Sequence, residues 1–339
     1  MKRVGFLFEE AFSRESLYEA YLVASKGKRM KRACFNFERR LAVNLDRLYD
    51  ELWAGTYKPQ PYYSFLVYEP KERRIYAPSF CDLVVQHAIY RVIYPIFDKS
   101  FIDQSFSCRK GKGTHKCADY AQEAIRNSPK GTYSLKMDIR RYFYRINRDV
   151  LRKQIEKKIK DKRFVDLMMA FADYGEPVGI PIGNLLSQTY ALIYLNGLDH
   201  HIKRNLKVKR YCRYVDDFVV FGESRQRSEQ ILDDVRGYIN GLGLELSKYT
   251  IAPLTRGVNF VGYRTWASKR FIRKHSMYKF SKSLKNRKLE SVVSILGHAK
   301  RTHSLSFLTR KIRSTDNVFF LRLPKTYRQW QDAGVSVSC

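Results

Sequence analysis

Tyr211-Cys-Arg-Tyr-Val-Asp-Asp-Phe-Val-Val-Phe221 is the stretch on which the reading of this chain turns. Two short runs of aromatic and β-branched residues flank a pair of acids. The pattern predicts a strand, a turn carrying Asp216 and Asp217, and a second strand. Adjacent like charges repel, and near apolar walls each raises the pKa of the other. Such a pair persists most easily when divalent cations neutralise it. Hard carboxylate oxygens with incomplete protein coordination suit Mg²⁺, whose open positions substrate phosphates fill. The dipeptide alone says little, because Asp233–Asp234 repeats it on an amphipathic helical pattern and reads there as a solvated face. Context separates the two. Upstream of the first pair, Ser134-Leu-Lys-Met-Asp138 reads as a strand that ends in a third acid.

The pattern around these acids alternates helices with short strands. Gln226 to Leu242 is amphipathic, with Ile231, Val235, Ile239 and Leu242 on one face, and Leu186 to Leu206 reads as a helix before the hairpin. Toward the N-terminus, Phe35 to Leu52 carries Leu41, Leu45 and Leu48 at helical spacing. Tyr62 to Tyr68 and Arg74 to Ala77 read as two strands joined through the Glu69-Pro-Lys-Glu72 turn, and Asp82 to Ile96 returns to helical periodicity. The fold class expected is α+β, with helices packed on a small antiparallel sheet.

Composition narrows the partner. In 339 residues, 64 Lys and Arg stand against 33 acids, a net charge of +31 that points to a polyanion. From Tyr263 to Cys339 there are 18 basic residues against three acids, on helical patches such as Leu289, Val292, Val293 and Leu296. This predicts a basic helical module that grips a phosphate backbone. The 24 tyrosines suit surfaces that stack on bases. The longest apolar runs, such as Leu167–Ala172, reach about six residues against the ~20 of a membrane span, so no membrane partner is expected. The N-terminus, with Glu9 and Glu10 behind a short apolar patch, does not read as a signal peptide. Six scattered cysteines without a C-x-x-C pair read as reduced thiols.

Tyr214-Val-Asp-Asp217 resembles the Y-x-D-D box of reverse transcriptases, and further boxes follow in the family's order between about Gly55 and Tyr263. Arg73-Arg-Ile-Tyr-Ala-Pro78, preceded by Lys71, resembles the fingers motif in which Lys71 and Arg73 hold the incoming triphosphate. Asp82 to Gln86 with Ser105-Phe-Ser-Cys-Arg109 resembles the next box. Asp138-Ile-Arg-Arg-Tyr-Phe143 resembles the first palm box, with Phe143 at the steric-gate position. Phe260-Val-Gly-Tyr263 resembles the primer grip, carried by Phe260, Gly262 and Tyr263. Gly179-Ile-Pro-Ile-Gly-Asn-Leu-Leu-Ser-Gln188 has Ile182 and Gln188 where retroviral and group II intron enzymes usually carry Gln and Pro. That form resembles the reverse transcriptases of diversity-generating retroelements, and the compact length, without a maturase or endonuclease extension, agrees with it.

The resemblance implies a right-hand polymerase. N-terminal helices and fingers would occupy residues 1–130, the palm 131–262 (with about 147–180 returning to the fingers), and a basic thumb 263–339. Asp138, Asp216 and Asp217 would be catalytic. With Ile139, they would hold two Mg²⁺ ions (Mn²⁺ as a possible substitute) that activate a 3′-hydroxyl and stabilise leaving pyrophosphate. Lys71, Arg73, Phe143 and Gln188 would bind dNTP, and Ile182 with Gly183 would govern template pairing and fidelity. Lys248 lies near the register of a proposed general acid and reads equally as an exposed lysine. The implied activity is error-prone cDNA synthesis at template adenines, in the cytoplasm of a bacterium or phage-infected host. Implied partners are template RNA, cDNA and a small basic pentameric accessory protein. Two other readings stay open: an antiphage defence reverse transcriptase, and a non-catalytic RNA-binding scaffold. His298 and His303 read as packing residues.

Overall fold

A computed structural model describes residues 3–68 and 72–328. The chain opens with helices α1 (Leu7–Ala11), α2 (Arg14–Ser25), α3 (Arg32–Glu38) and α4 (Leu41–Ala54). The single helical run expected over Phe35 to Leu52 is broken, because Arg40 leaves the helical region at φ −129° and α4 starts afresh. Strands β1 (Tyr63–Val67) and β2 (Arg73–Ala77) pair antiparallel, Tyr63 opposite Ala77 and Val67 opposite Arg73. The segment joining them, with Lys71, lies outside the described residues. Helix α5 (Phe80–Asp98), capped by the Ser79 hydroxyl, and α6 (Thr114–Arg126) lead to β3 (Tyr133–Ile139). Then come α7 (Tyr142–Arg145), α8 (Arg148–Glu156), α9 (Lys162–Ala170) and α10 (Leu185–His200). The helix expected to reach Leu206 ends its α-helical part at His200 and continues as one π-helical turn, His201–Asn205.

Strands β4 (Arg210–Tyr214) and β5 (Asp217–Glu223) form the expected hairpin, followed by α11 (Arg225–Asn240) and β6 (Leu246–Pro253). Asp233 and Asp234 are exposed on α11, as a solvated face requires. Three short strands, β7 (Val258–Phe260), β8 (Tyr263–Thr265) and β9 (Arg270–Ile272), make a separate antiparallel sheet. The chain continues through α12 (Lys274–Lys285), α13 (Leu289–Ala299), α14 (Ser304–Thr315), α15 (Asn317–Leu321) and α16 (Lys325–Arg328). No helix among the described residues is long and apolar enough to cross a membrane.

The chain forms two compact units. The first comprises Met1–Arg109, Asp138–Val208 and Asp233–Lys248. Its core is built on α5 and α10, where Val84, Val85, Ala88, Ile89, Tyr190 and Tyr194 are fully buried and α2 packs along α5. Burying so many apolar side chains is the main stabilising term. Buried Asp82 adds a polar anchor: its carboxylate accepts from the Tyr57 hydroxyl at 2.5 Å and the Gln60 amide at 3.1 Å. Burial pushes its pKa up, and these hydrogen bonds pull against that rise. Arg109 donates to Asp98 Oδ1 at 2.7 Å and to the Ile102 and Ser105 carbonyls, so it braces a loop.

The second unit comprises Lys110–Met137, Lys209–Leu232 and Tyr249–Cys339. It contains most of a four-stranded sheet ordered β4-β5-β3-β6, with α6 packed on β4 and β5. Tyr211, Cys212 and the run Phe218–Phe221 are fully buried, which is why the strands beside the two acids hold their register. A further core gathers Tyr263, Ile272, Phe280, Val292, Leu296, Leu308 and Ile312 under the basic helices.

Candidate active site

In the second unit, the β4–β5 hairpin sets the two acids. Tyr214 pairs with Asp217, leaving Val215 and Asp216 as the two-residue turn. Val215 has φ +58°. A β-branched residue there is strained by about 1–3 kcal/mol, a cost that surrounding structure must impose. Arg213 supplies part of that constraint: it is fully buried and donates from Nη1 to the Val215 carbonyl at 2.9 Å. The Tyr214 hydroxyl lies 3.1 Å from Thr114 Oγ1 on α6, a second tether. Beside the turn, Lys136 Nζ on β3 stands 3.1 Å from Asp217 Oδ2.

In the first unit, Asp138 lies near the end of β3. Its Oδ2 accepts from the Ser247 hydroxyl, which also reaches the Asp138 carbonyl at 3.2 Å. The Arg140 amide donates to the Glu245 carbonyl at 2.8 Å, and Arg145 pairs with Glu245 at 2.8 Å. The end of β3 is thereby held to the start of β6. Ile139 is buried, so only its backbone is available to a ligand, and Lys248 is exposed on β6.

The same unit brings β2 and the Gly179–Gln188 segment together. The Tyr76 amide donates to the Ile182 carbonyl at 2.7 Å. Gly183 has φ +107°, and a Cβ there would sit 2.6 Å from Ile75 Cγ2 and 3.1 Å from the Tyr76 carbonyl, so glycine permits the close approach to β2. Phe143 is half-buried, and its carbonyl accepts from the Ile180 amide at 2.8 Å. Arg73 is exposed at the start of β2, and Gln188 is exposed on the first turn of α10. Lys71 lies outside the described residues.

The Phe260–Tyr263 hairpin in the second unit turns through Val261 (φ +41°) and Gly262 (φ +91°), both left-handed as a tight hairpin requires. The rings of Phe260 and Tyr263 are buried, Asn259 on β7 is exposed, and His298 packs against the turn with Nε2 3.4 Å from the Gly262 carbonyl. The Tyr263 hydroxyl donates to the His298 carbonyl at 2.9 Å and lies 3.1 Å and 3.2 Å from Nδ1 of His298 and His115. His298 stacks on the Tyr263 ring at 4.3 Å, a packing role.

The profile of the family described as "Reverse transcriptase (RNA-dependent DNA polymerase)" matches residues 61–265. The chain belongs to the reverse transcriptase family. Among relatives of this reverse transcriptase is the protein YkfC of Escherichia coli K12, 26% identical over 291 residues, covering 71% of this chain and 74% of YkfC. Another is the group II intron-encoded protein LtrA of Lactococcus lactis, 24% identical over 330 residues; the match covers 74% of this chain and 54% of LtrA, so the chain spans about half that relative. The fold is likewise similar to that of apo telomerase from Candida tropicalis, with a TM-score of 0.50 at 12% identity over 75% of this chain and 59% of the telomerase. The protein is thus an RNA-directed DNA polymerase by family, a nucleotidyltransferase of α+β reverse-transcriptase fold.

Reverse transcriptases generally use divalent metal ions. Among the described residues, no three His, Cys, Asp or Glu side chains gather into a group that could hold one. Asp138 is engaged by Ser247, and Asp217 already faces a cation, the Lys136 ammonium. Half-buried carboxylates of this kind are the hard oxygen donors that Mg²⁺ prefers, so the donor chemistry fits. Sequence reasoning missed Lys136, Arg213 and Ser247. Lys136 left a legible signal, since residues two apart on a strand share a face with Asp138.

Proposed function

We propose that this reverse transcriptase copies a retroelement RNA into adenine-mutated cDNA for targeted sequence diversification. The observation that carries the reading is the docking of Ile182 and Gly183 on β2 through the Tyr76 amide. The Ile182 backbone is tied to the strand that carries Arg73, and in this reading its apolar side chain stands where the more usual glutamine would offer hydrogen bonds around a nascent pair. Losing a buried polar partner lowers discrimination by about 1–3 kcal/mol, or ~10–100-fold in misincorporation. In this reading Asp138, Asp216, Asp217 and the Ile139 carbonyl hold two Mg²⁺ ions, which supply Lewis-acid activation of the primer 3′-hydroxyl. Lys71 and Arg73 neutralise the triphosphate, Phe143 excludes the 2′-hydroxyl, and Gln188 lines the nucleotide site. The hairpin at Gly262 meets the primer.

Residues 1–130 act as fingers, 131–262 as palm and 263–339 as a thumb whose basic helices track the backbone of the RNA–cDNA duplex. A small basic pentameric accessory protein and the bacterial or phage-infected cytoplasm belong to the same reading. The test is primer extension on one RNA template followed by cDNA sequencing. Excess errors opposite adenine that fall in Ile182→Gln support it. A flat error spectrum overturns the mutagenic role, and then the antiphage reading gains. Full extension by an Asp216→Ala/Asp217→Ala double variant overturns the assignment of the acids.

A further inference from the structure

A cavity of about 540 Å³ opens in the first unit on the side of the β1–β2 hairpin away from Gly183. Strand alternation creates it. Ile75 faces Gly183, whereas Arg74 and Tyr76, with Leu66 opposite Arg74, face the cavity. Its other walls include Tyr144, Tyr174 and Arg141. Nothing in the polymerase reading above uses it. We infer that this cavity binds one unstacked nucleotide, its base against the tyrosines and its phosphate on Arg74 and Arg141.

The volume falls within the roughly 300–1,000 Å³ of small-ligand sites. The rings of Tyr76 and Tyr174 meet edge to face at 4.8 Å, making an aromatic corner rather than a flat surface. The Tyr174 hydroxyl donates to the Val178 carbonyl at 3.2 Å, which fixes the ring as a wall of the cavity, and burial pushes its pKa up to about 12. Among the described residues neither Arg74 nor Arg141 has a carboxylate within ion-pair distance, which leaves both forks open to a phosphate. Arg141 holds a left-handed backbone (φ +47°), uncommon for a side chain of its size, at the start of α7. Glu72 and Glu176 also line the space. Carboxylates there disfavour a bare run of phosphates and can accept from the amino edge of a base. A nucleotide satisfies aromatic wall, cation and carboxylate together.

Two sources present that chemistry: an unpaired template nucleotide ahead of the copied pair, and a free nucleotide. The inference rests on the polymerase reading only for the first. The experiment measures binding of the full chain by fluorescence anisotropy, without extension. The probes are an RNA–DNA duplex with a blunt end, the same duplex with a three-nucleotide 5′ RNA overhang, and AMP as a competitor. The overhang should tighten binding by roughly ten-fold or more, the scale of one stacked base. Arg74→Gln/Arg141→Gln should remove that gain while keeping blunt-duplex affinity, and the single variant Tyr144→Leu should shrink it should the double variant fold poorly. AMP binding that these variants abolish, with no overhang gain, assigns the site to free nucleotide. An overhang gain unchanged in both variants, or neither overhang gain nor AMP binding in the wild type, overturns the inference. An overhang gain in a protein that extends no primer leaves this site standing and sinks the polymerase reading instead.

Discussion

Lys136 and Asp217 face each other across neighbouring strands, Nζ 3.1 Å from Oδ2, with the two side chains 27% and 24% exposed. A cation therefore already stands against one of the acids proposed to hold the metal ions. Lys136→Gln should cost about 0.5–1 kcal/mol, a shift of a few degrees in Tm at most. Added Mg²⁺ or Mn²⁺ should then raise the Tm of the variant more than that of the wild type, because the ion takes over the counter-charge. An equal metal response in both would mean that Lys136 does not stand where a metal ion would bind.

Gly183 should not tolerate a side chain. At φ +107°, with Ile75 2.6 Å from a built Cβ, alanine must strain its backbone or push β2 away. Gly183→Ala should destabilise by about 1–3 kcal/mol. It should also raise the KM for dNTP by displacing Arg73. Steady-state kinetics beside a melting curve checks both, and an unchanged KM would uncouple the loop from the nucleotide site.

Phe143 is half-buried five residues after Asp138, its backbone pinned by the Ile180 amide at 2.8 Å. If its ring excludes a 2′-hydroxyl, Phe143→Ala should raise the rNTP/dNTP ratio of kcat/KM by roughly ten-fold or more. A lower Tm with an unchanged ratio would make Phe143 a packing residue.

His298 should give the second unit a pH dependence of stability. Burial is the chief cause that holds its pKa below the usual 6.5, with the nearby His115 and Arg273 acting in the same direction. The fold thus favours neutral imidazole stacked on Tyr263. The stability this contributes is fully present above about pH 6.5 and is lost as pH falls through the depressed value. Melting temperatures from pH 7.5 to 5 should fall, and His298→Asn should flatten that fall. Parallel curves would place the pH sensitivity elsewhere.

Local pattern carried much of the site. Tyr133–Ile139 is a strand, as its alternation requires, and the hairpin around Asp216 forms because Phe218–Phe221 have one buried register. Arg109 and Asp82, in a box that resembles a family motif, prove to be braces for loops and helix starts. Period alone cannot distinguish a motif that touches substrate from one that holds the scaffold. The break at Arg40 and the π-helical turn at His201–Asn205 also escaped, since both depend on how neighbouring segments pack rather than on spacing.

The sequence by itself determined the family, the three acids, the basic C-terminal segment and the order of the boxes, because each is a matter of residue type and covalent spacing. Tertiary structure alone decided the rest: that Ile182 is tied to Tyr76, that Lys136 is the counter-ion of Asp217, that the ring of Tyr263 is buried against His298, and that β2 has a cavity on its second face. These partners lie between 35 and 106 positions apart in the chain. A contact at that separation leaves no local period to read, and only the packing of the core sets its distance.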